Sequence, residues 1–211
     1  MINRAEIKKA AKEQIKGKIG ILFVIALVMA AVSFVAGLIY IGAIIVAPAL
    51  ALSSAIIYLN VVKGNTPSVS DAFLGFKDWW SSFKVYIFML LFTFLWSLLF
   101  YIPGIVKSFS YSMSTFILAE NPGMPALEAI TRSRKMMDGH KWDLFVLMLS
   151  FIGWAILASF TFGILYIWLL PYMEASVANF YNAIKGETVV ETTEPAPEVE
   201  APAEEAASEN N

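Results

Sequence analysis

Cysteine is absent and histidine occurs once, at His140. Zinc and iron centres draw on several thiolate or imidazole ligands, so metal sites of that kind are excluded, and no disulfide can fix the fold. Glycine-rich phosphate loops and dinucleotide fingerprints are missing as well. A Ser-His-Asp arrangement would have to rest on His140 alone. The most informative absence is of charge: residues 19–62 form 44 positions without Lys, Arg, His, Asp or Glu. A bilayer's hydrocarbon core is crossed by about 20 apolar residues, so this run is long enough for two crossings. The apolar share of 58% also exceeds the roughly 45 to 50% of ordinary soluble domains.

What remains reads as an all-α, polytopic transmembrane bundle of 211 residues. Six spans are expected, at about 19–39, 42–62, 85–102, 104–119, 144–162 and 164–184, with the Pro103-Gly104 pair ending the third and a hinge near Gly163. The fourth is short, rich in serine and carries Lys107. Lys and Arg near span ends accumulate on the cytoplasmic side. With six crossings every other Lys and Arg in the bundle falls on one side, and Lys107 alone lies near the outer end, where it can snorkel. Both termini are then cytoplasmic. Tyr40 and Tyr101 fall at the outer interface, and Trp79, Trp80 and Trp142 at the inner one.

The connections carry patterns of their own. Residues 1–18 form a basic amphipathic helix, opened by an Asn3/Glu6 capping box and presenting Ile7, Ala11 and Ile15 on one face. Residues 69–83 show an apolar i, i+3, i+4 stripe expected of a helix lying flat in the interface. A third such helix follows Pro125, with Leu127, Ile130 and Met137 on one face. A parallel repeat at an offset of 57 pairs Asp71, Ala72, Lys84 and Phe94 with Glu128, Ala129, Lys141 and Phe151. Two spans end alike, in Asn60-Val61-Val62-Lys63-Gly64 and Asn182-Ala183-Ile184-Lys185-Gly186. In the second span Ala43, Ala47, Ala51 and Ala55 offer a ladder for close helix packing. Residues 187–211 hold eight Glu and no Lys or Arg, a composition expected of a disordered acidic tail.

Asn3-Arg4 with Glu6, Ile102-Pro103-Gly104-Ile105, Tyr111-Ser112-Met113, Ile117-Leu118-Ala119-Glu120-Asn121-Pro122, Gly139-His140-Lys141-Trp142 and Pro171-Tyr172 resemble the bacterial integral-membrane family of unknown function numbered 975. The resemblance spans nearly the whole chain before the tail. It implies a multi-pass protein of the bacterial cytoplasmic membrane and no established activity.

Glu174 is the one ionisable residue near the middle of a span, three positions after Pro171, which is expected to break the sixth helix. Intramembrane charge is costly and points to function. Glu174, Lys107 and Tyr172 therefore form a candidate intramembrane polar site, with Lys107 within possible reach of the carboxylate. Arg132, Lys135, His140 and Lys141 are candidate contacts for anionic headgroups of the inner leaflet. No cofactor, no nucleic-acid partner and no enzymatic activity are expected. The sequence favours a non-catalytic scaffold or accessory component that engages lipid or a membrane-protein partner. The alternative is a small transporter or channel using the Glu174 region.

Overall fold

The computed structural model describes residues 3–37, 40–99, 101–161 and 163–186. The acidic tail at 187–211 lies outside the described residues, as do the side chains of Tyr40 and Tyr101. Among the described residues all regular structure is helical: α1 Arg4–Gln14, α2 Ile19–Gly37, α3 Tyr40–Val62, a 3₁₀ helix Val69–Phe76, α4 Trp79–Leu99, α5 Tyr101–Tyr111, α6 Ser114–Glu120, α7 Ala126–Met136, α8 Lys141–Leu149, α9 Ile152–Phe160 and α10 Tyr166–Lys185. Four stretches among the described residues are long and apolar enough to cross a membrane, namely Ile19–Gly37, Ile44–Val62, Trp79–Leu98 and Lys141–Phe160. They place the chain among membrane proteins.

The N-terminal helix starts as the sequence predicts. The Asn3 side chain accepts from the N–H groups of Ala5 and Glu6 at 3.2 and 3.4 Å, while Glu6 takes the Asn3 side-chain amide rather than its backbone N–H. Ile7, Ala11 and Ile15 are fully buried, because α1 packs along α10. Gln14 and Asn179 exchange side-chain amide hydrogen bonds across that seam, and Gln14 also donates to the carbonyl of Val62 at the end of α3. Its apolar face thus belongs to the protein core.

Residues 69–83 depart from expectation. They form no single interfacial helix but a 3₁₀ helix that runs back along α3, followed directly by α4. Ser68 opens it, donating from its backbone N–H and its hydroxyl to Asp71 at 2.9 Å each. Gly75 lies against Ala49 and Ser53, donating to Ser53 Oγ at 2.8 Å, and a Cβ on Gly75 would collide with the Ala49 carbonyl. Trp79 then donates from Nε1 to the carbonyl of Ile45 at 2.7 Å. Ile45 precedes Val62 by 17 positions, about 25 Å along a helix at about 1.5 Å per residue. The close seam on α3 is accordingly Ala49 and Ser53, both fully buried, while Ala51 of the alanine ladder is exposed. Tertiary packing has overridden the local pattern.

Other boundaries also move. Pro103 and Gly104 lie inside α5 and do not end the preceding helix; in a first turn the missing proline N–H costs no helical bond. Pro171 likewise sits inside a continuous α10, so the sixth helix is not broken there. The interruptions fall at residues 112–113, between α5 and α6, and at 150–151, between α8 and α9. The turn before α10 contains Gly163, near the expected hinge. On α7 the buried face is Ala126, Ala129, Ile130 and Ser133, with Met137 just beyond, whereas Leu127 points outward. Positions 57 apart diverge: Ala72 and Ala129 are both fully buried, but Phe94 is 60% exposed and Phe151 1%.

Cover is unevenly distributed. In Ile44–Val62 56% of the residues are buried, against 11% in Ile19–Gly37 and 17% in Trp79–Leu98. The second half of α3 is the core of the molecule, enclosed by the 3₁₀ helix, α2, α6 and α10. Phe34, Leu98 and Phe160 by contrast are more than 70% exposed, as apolar side chains facing lipid would be.

Candidate functional site

Three charged places stand out, and the best built is centred on Glu120. The two Asn-x-x-Lys-Gly sequences end α3 and α10 in the same way. Gly64 and Gly186 adopt φ of +92° and +90°, the left-handed stop that glycine takes without strain. After Gly64, the N–H of Asn65 closes back on the Asn60 carbonyl at 2.9 Å. The preceding lysines converge on one carboxylate: Lys63 lies 3.2 Å from Oε1 of Glu120 and Lys185 2.8 Å from Oε2. Tyr181, stacked on Phe116 at 5.5 Å, donates its hydroxyl to Oε2 at 2.7 Å. Glu120 thereby joins the ends of α3, α6 and α10. Burial disfavours its charged form, but the bonds from Lys185, Tyr181 and Lys63 outweigh burial and hold the carboxyl below the usual glutamate range. An open cleft of about 590 Å³ lies over this node, reached also by Asn60, Asn121 and Arg132.

A second cleft, of about 350 Å³, is lined by Lys107, Ser110, Arg134, Lys135, Asp138 and Lys141. It lies between α5, α7 and the start of α8. Ser133 Oγ donates to the Ser110 carbonyl at 2.8 Å, and Phe109 meets Phe145 edge-on at 5.9 Å, which fixes the three helices around it. Lys107 is therefore not isolated: it shares this cleft with Lys135 and Lys141, and its Nζ stands 4.4 Å from the Trp96 ring centroid.

Glu174 occupies a third place, a pocket of about 210 Å³ between α2, α3 and α10, with Leu22, Ile57, Tyr58 and Leu170 among its walls. Among the described residues it has no hydrogen bond and no ion pair. A neighbouring apolar pocket shares Ala26 and Leu170 with it and continues to Gly163 and Pro171. Tyr172 is turned away, since two residues on a helix diverge by about 200°; it packs on Phe151 and Trp168 instead. The structure does not bring Glu174, Lys107 and Tyr172 into one site.

The family model described as protein of unknown function (DUF975) matches residues 1–110 and 99–188. The chain belongs to this family. No curated protein and no solved structure matches it. The two matched segments of this DUF975 member take in Glu120, Lys63, Lys185 and all four cations of the second cleft.

The four residues expected at headgroups are dispersed. Lys135 and Lys141 share the second cleft. Arg132 pairs with Glu128 at 2.7 Å and borders the first. His140, at the start of α8, has Nδ1 3.5 Å from Asp143, which in turn lies 3.5 Å from Arg4. That chain of contacts ties α1 to α8. Sequence reasoning missed Glu120 and Arg134. The twin Asn-x-x-Lys-Gly endings were the available signal for Glu120, because two helix ends built alike and carrying the same cation suggest a shared anion. Arg134 had no comparable signal.

Proposed function

We propose that the protein is a non-catalytic component of the bacterial cytoplasmic membrane, crossing it six times with both termini inside, and serving as a scaffold or accessory subunit that engages inner-leaflet lipid or a partner membrane protein. One observation carries this reading: many of the charged side chains gather in ion pairs and basic clefts, while broad apolar faces of α2, α4 and α9 lie uncovered. Lys107, the single cation that a six-crossing count left near the outer side, shares a cleft with Lys135 and Lys141, which that count assigns to the inner side. The same grouping makes the fourth crossing the point at which that count can fail.

A transporter is the second reading, favoured by the unpartnered Glu174 carboxylate and the pocket that reaches it. The two separate in proteoliposomes loaded with a pH-sensitive dye and exposed to imposed ion gradients. The scaffold reading expects no flux above that of protein-free vesicles. A proton-linked flux that disappears in Glu174→Gln would replace it with transport.

A further inference from the structure

We propose that the cleft between α5, α7 and α8 binds one phosphate group, as carried by the headgroup of an anionic phospholipid. This rests on the membrane reading above but adds a defined site to it. Four cations, Lys107, Arg134, Lys135 and Lys141, line about 350 Å³ against the single carboxylate of Asp138. Asp138 is taken up by Lys141 at 3.6 Å. Lys107, Arg134 and Lys135 have no carboxylate partner among the described residues. Like charges gathered in one concavity repel each other, and an anion in their midst removes that repulsion while accepting several charge-assisted hydrogen bonds. Basic pockets between helices on the cytoplasmic side of a membrane meet lipid headgroups in this way.

The surroundings suit a lipid. Val106 beside Lys107 is 43% exposed, and Trp142 beside Lys141 is 70% exposed, so apolar surface begins where the cations end. Acyl chains could lie there with the phosphate held in the cleft. The walls are preformed rather than assembled by a ligand, through the Ser133–Ser110 bond and the Phe109–Phe145 contact. Among the described residues the one hydroxyl lining the cleft, Ser110, donates to the Val106 carbonyl at 3.0 Å and Asp138 is paired with Lys141, so binding rather than turnover is the chemistry the cleft offers.

The test uses the full-length protein in nanodiscs of phosphatidylcholine doped with phosphatidylglycerol, with lipid retention after extraction read by native mass spectrometry. Wild type should retain phosphatidylglycerol over phosphatidylcholine by about tenfold or more. The triple variant Lys107→Gln/Arg134→Gln/Lys135→Gln should lose that preference. A control removing the same charge from the exposed side of α1 and the turn after it, Lys9→Gln/Lys12→Gln/Lys16→Gln, should keep it within about twofold. Circular dichroism and thermal unfolding establish that each variant is folded, and the single variant Lys135→Gln serves should the triple one fail to fold. Competition with soluble glycerol phosphate separates the sources: displacement at low concentration assigns the site to a free phosphate ester, and persistence of the lipid assigns it to a headgroup. A wild type without preference, or a folded variant that keeps it, overturns the proposal. Either result leaves the membrane topology standing, because that is decided by accessibility and not by lipid retention.

Discussion

Two carboxylates, Glu120 and Glu174, occupy opposite kinds of surroundings in one bundle. Glu120 has two lysines and a tyrosine hydroxyl on its two oxygens and sits where three helices end. Glu174 projects from the middle of α10 into a pocket walled mainly by aliphatic side chains and has no hydrogen bond or ion pair among the described residues, with Tyr58 as an electrostatic neighbour. A sequence reader weights the second, because charge within an apolar run is unusual. The structure weights the first, because a carboxylate that satisfies three donors from distant parts of the chain organises the fold around itself. Rarity in sequence and work in structure are different quantities.

The comparison breaks most clearly at Glu120. Replacing it with Ala leaves Lys63 and Lys185 facing each other and removes the Oε2 acceptor of the Tyr181 hydroxyl. Bonds to a charged group contribute roughly 1.5 to 3 kcal/mol each when sheltered, and partial exposure of both lysines reduces the sum. Glu120→Ala should therefore destabilise the protein by about 2 to 4 kcal/mol in thermal unfolding in mild detergent. A loss below about 0.5 kcal/mol would reduce the node to a surface ornament.

Acidification addresses the same node more gently. The Glu120 carboxyl is held below its ordinary range, so its contribution is fully present above the unfolded value and is lost as pH falls through the lower folded value. Wild type should lose stability below the usual glutamate range more steeply than Glu120→Gln, which has no carboxyl to protonate. Parallel pH profiles for the two proteins would contradict the pairing.

Glu174 should respond least. With no hydrogen bond or ion pair to break, both Glu174→Gln and Glu174→Leu are expected to change stability by less than about 1 kcal/mol, and Leu should be neutral or stabilising in so apolar a pocket. A loss above about 2 kcal/mol in Glu174→Leu alone would reveal a hydrogen bond that the carboxylate makes within the bundle.

The contrast between these residues also shows what can be read from a chain. Charge-free runs made α2 and α3 legible to within two or three residues at each end, since an apolar segment of that length has few alternatives. The Asn3 cap and the buried Ile7, Ala11 and Ile15 were legible because their partners are local or their period is regular. The 3₁₀ helix was not. Its geometry is set by Gly75 against Ala49 and Ser53, more than twenty positions earlier, and a stripe of aromatics at helical spacing does not encode that approach. The Glu120 node draws on Lys63 and Lys185, 57 and 65 positions away, and only the repeated helix ending hinted at it. The cleft neighbours of Lys107 were hidden for a related reason: a charge count assigns sides to a span but not the neighbours a side chain finds.

Membrane topology is the central claim, and the absence of cysteine makes it directly measurable. Single cysteines at Asn65, Leu127 and Tyr101 would be probed in intact cells with a membrane-impermeant thiol reagent. Six crossings with both termini inside predict protection at Asn65 and Leu127 and labelling at Tyr101. Labelling of Leu127 from outside would contradict that topology, because the segment formed by α5 and α6 would then not cross.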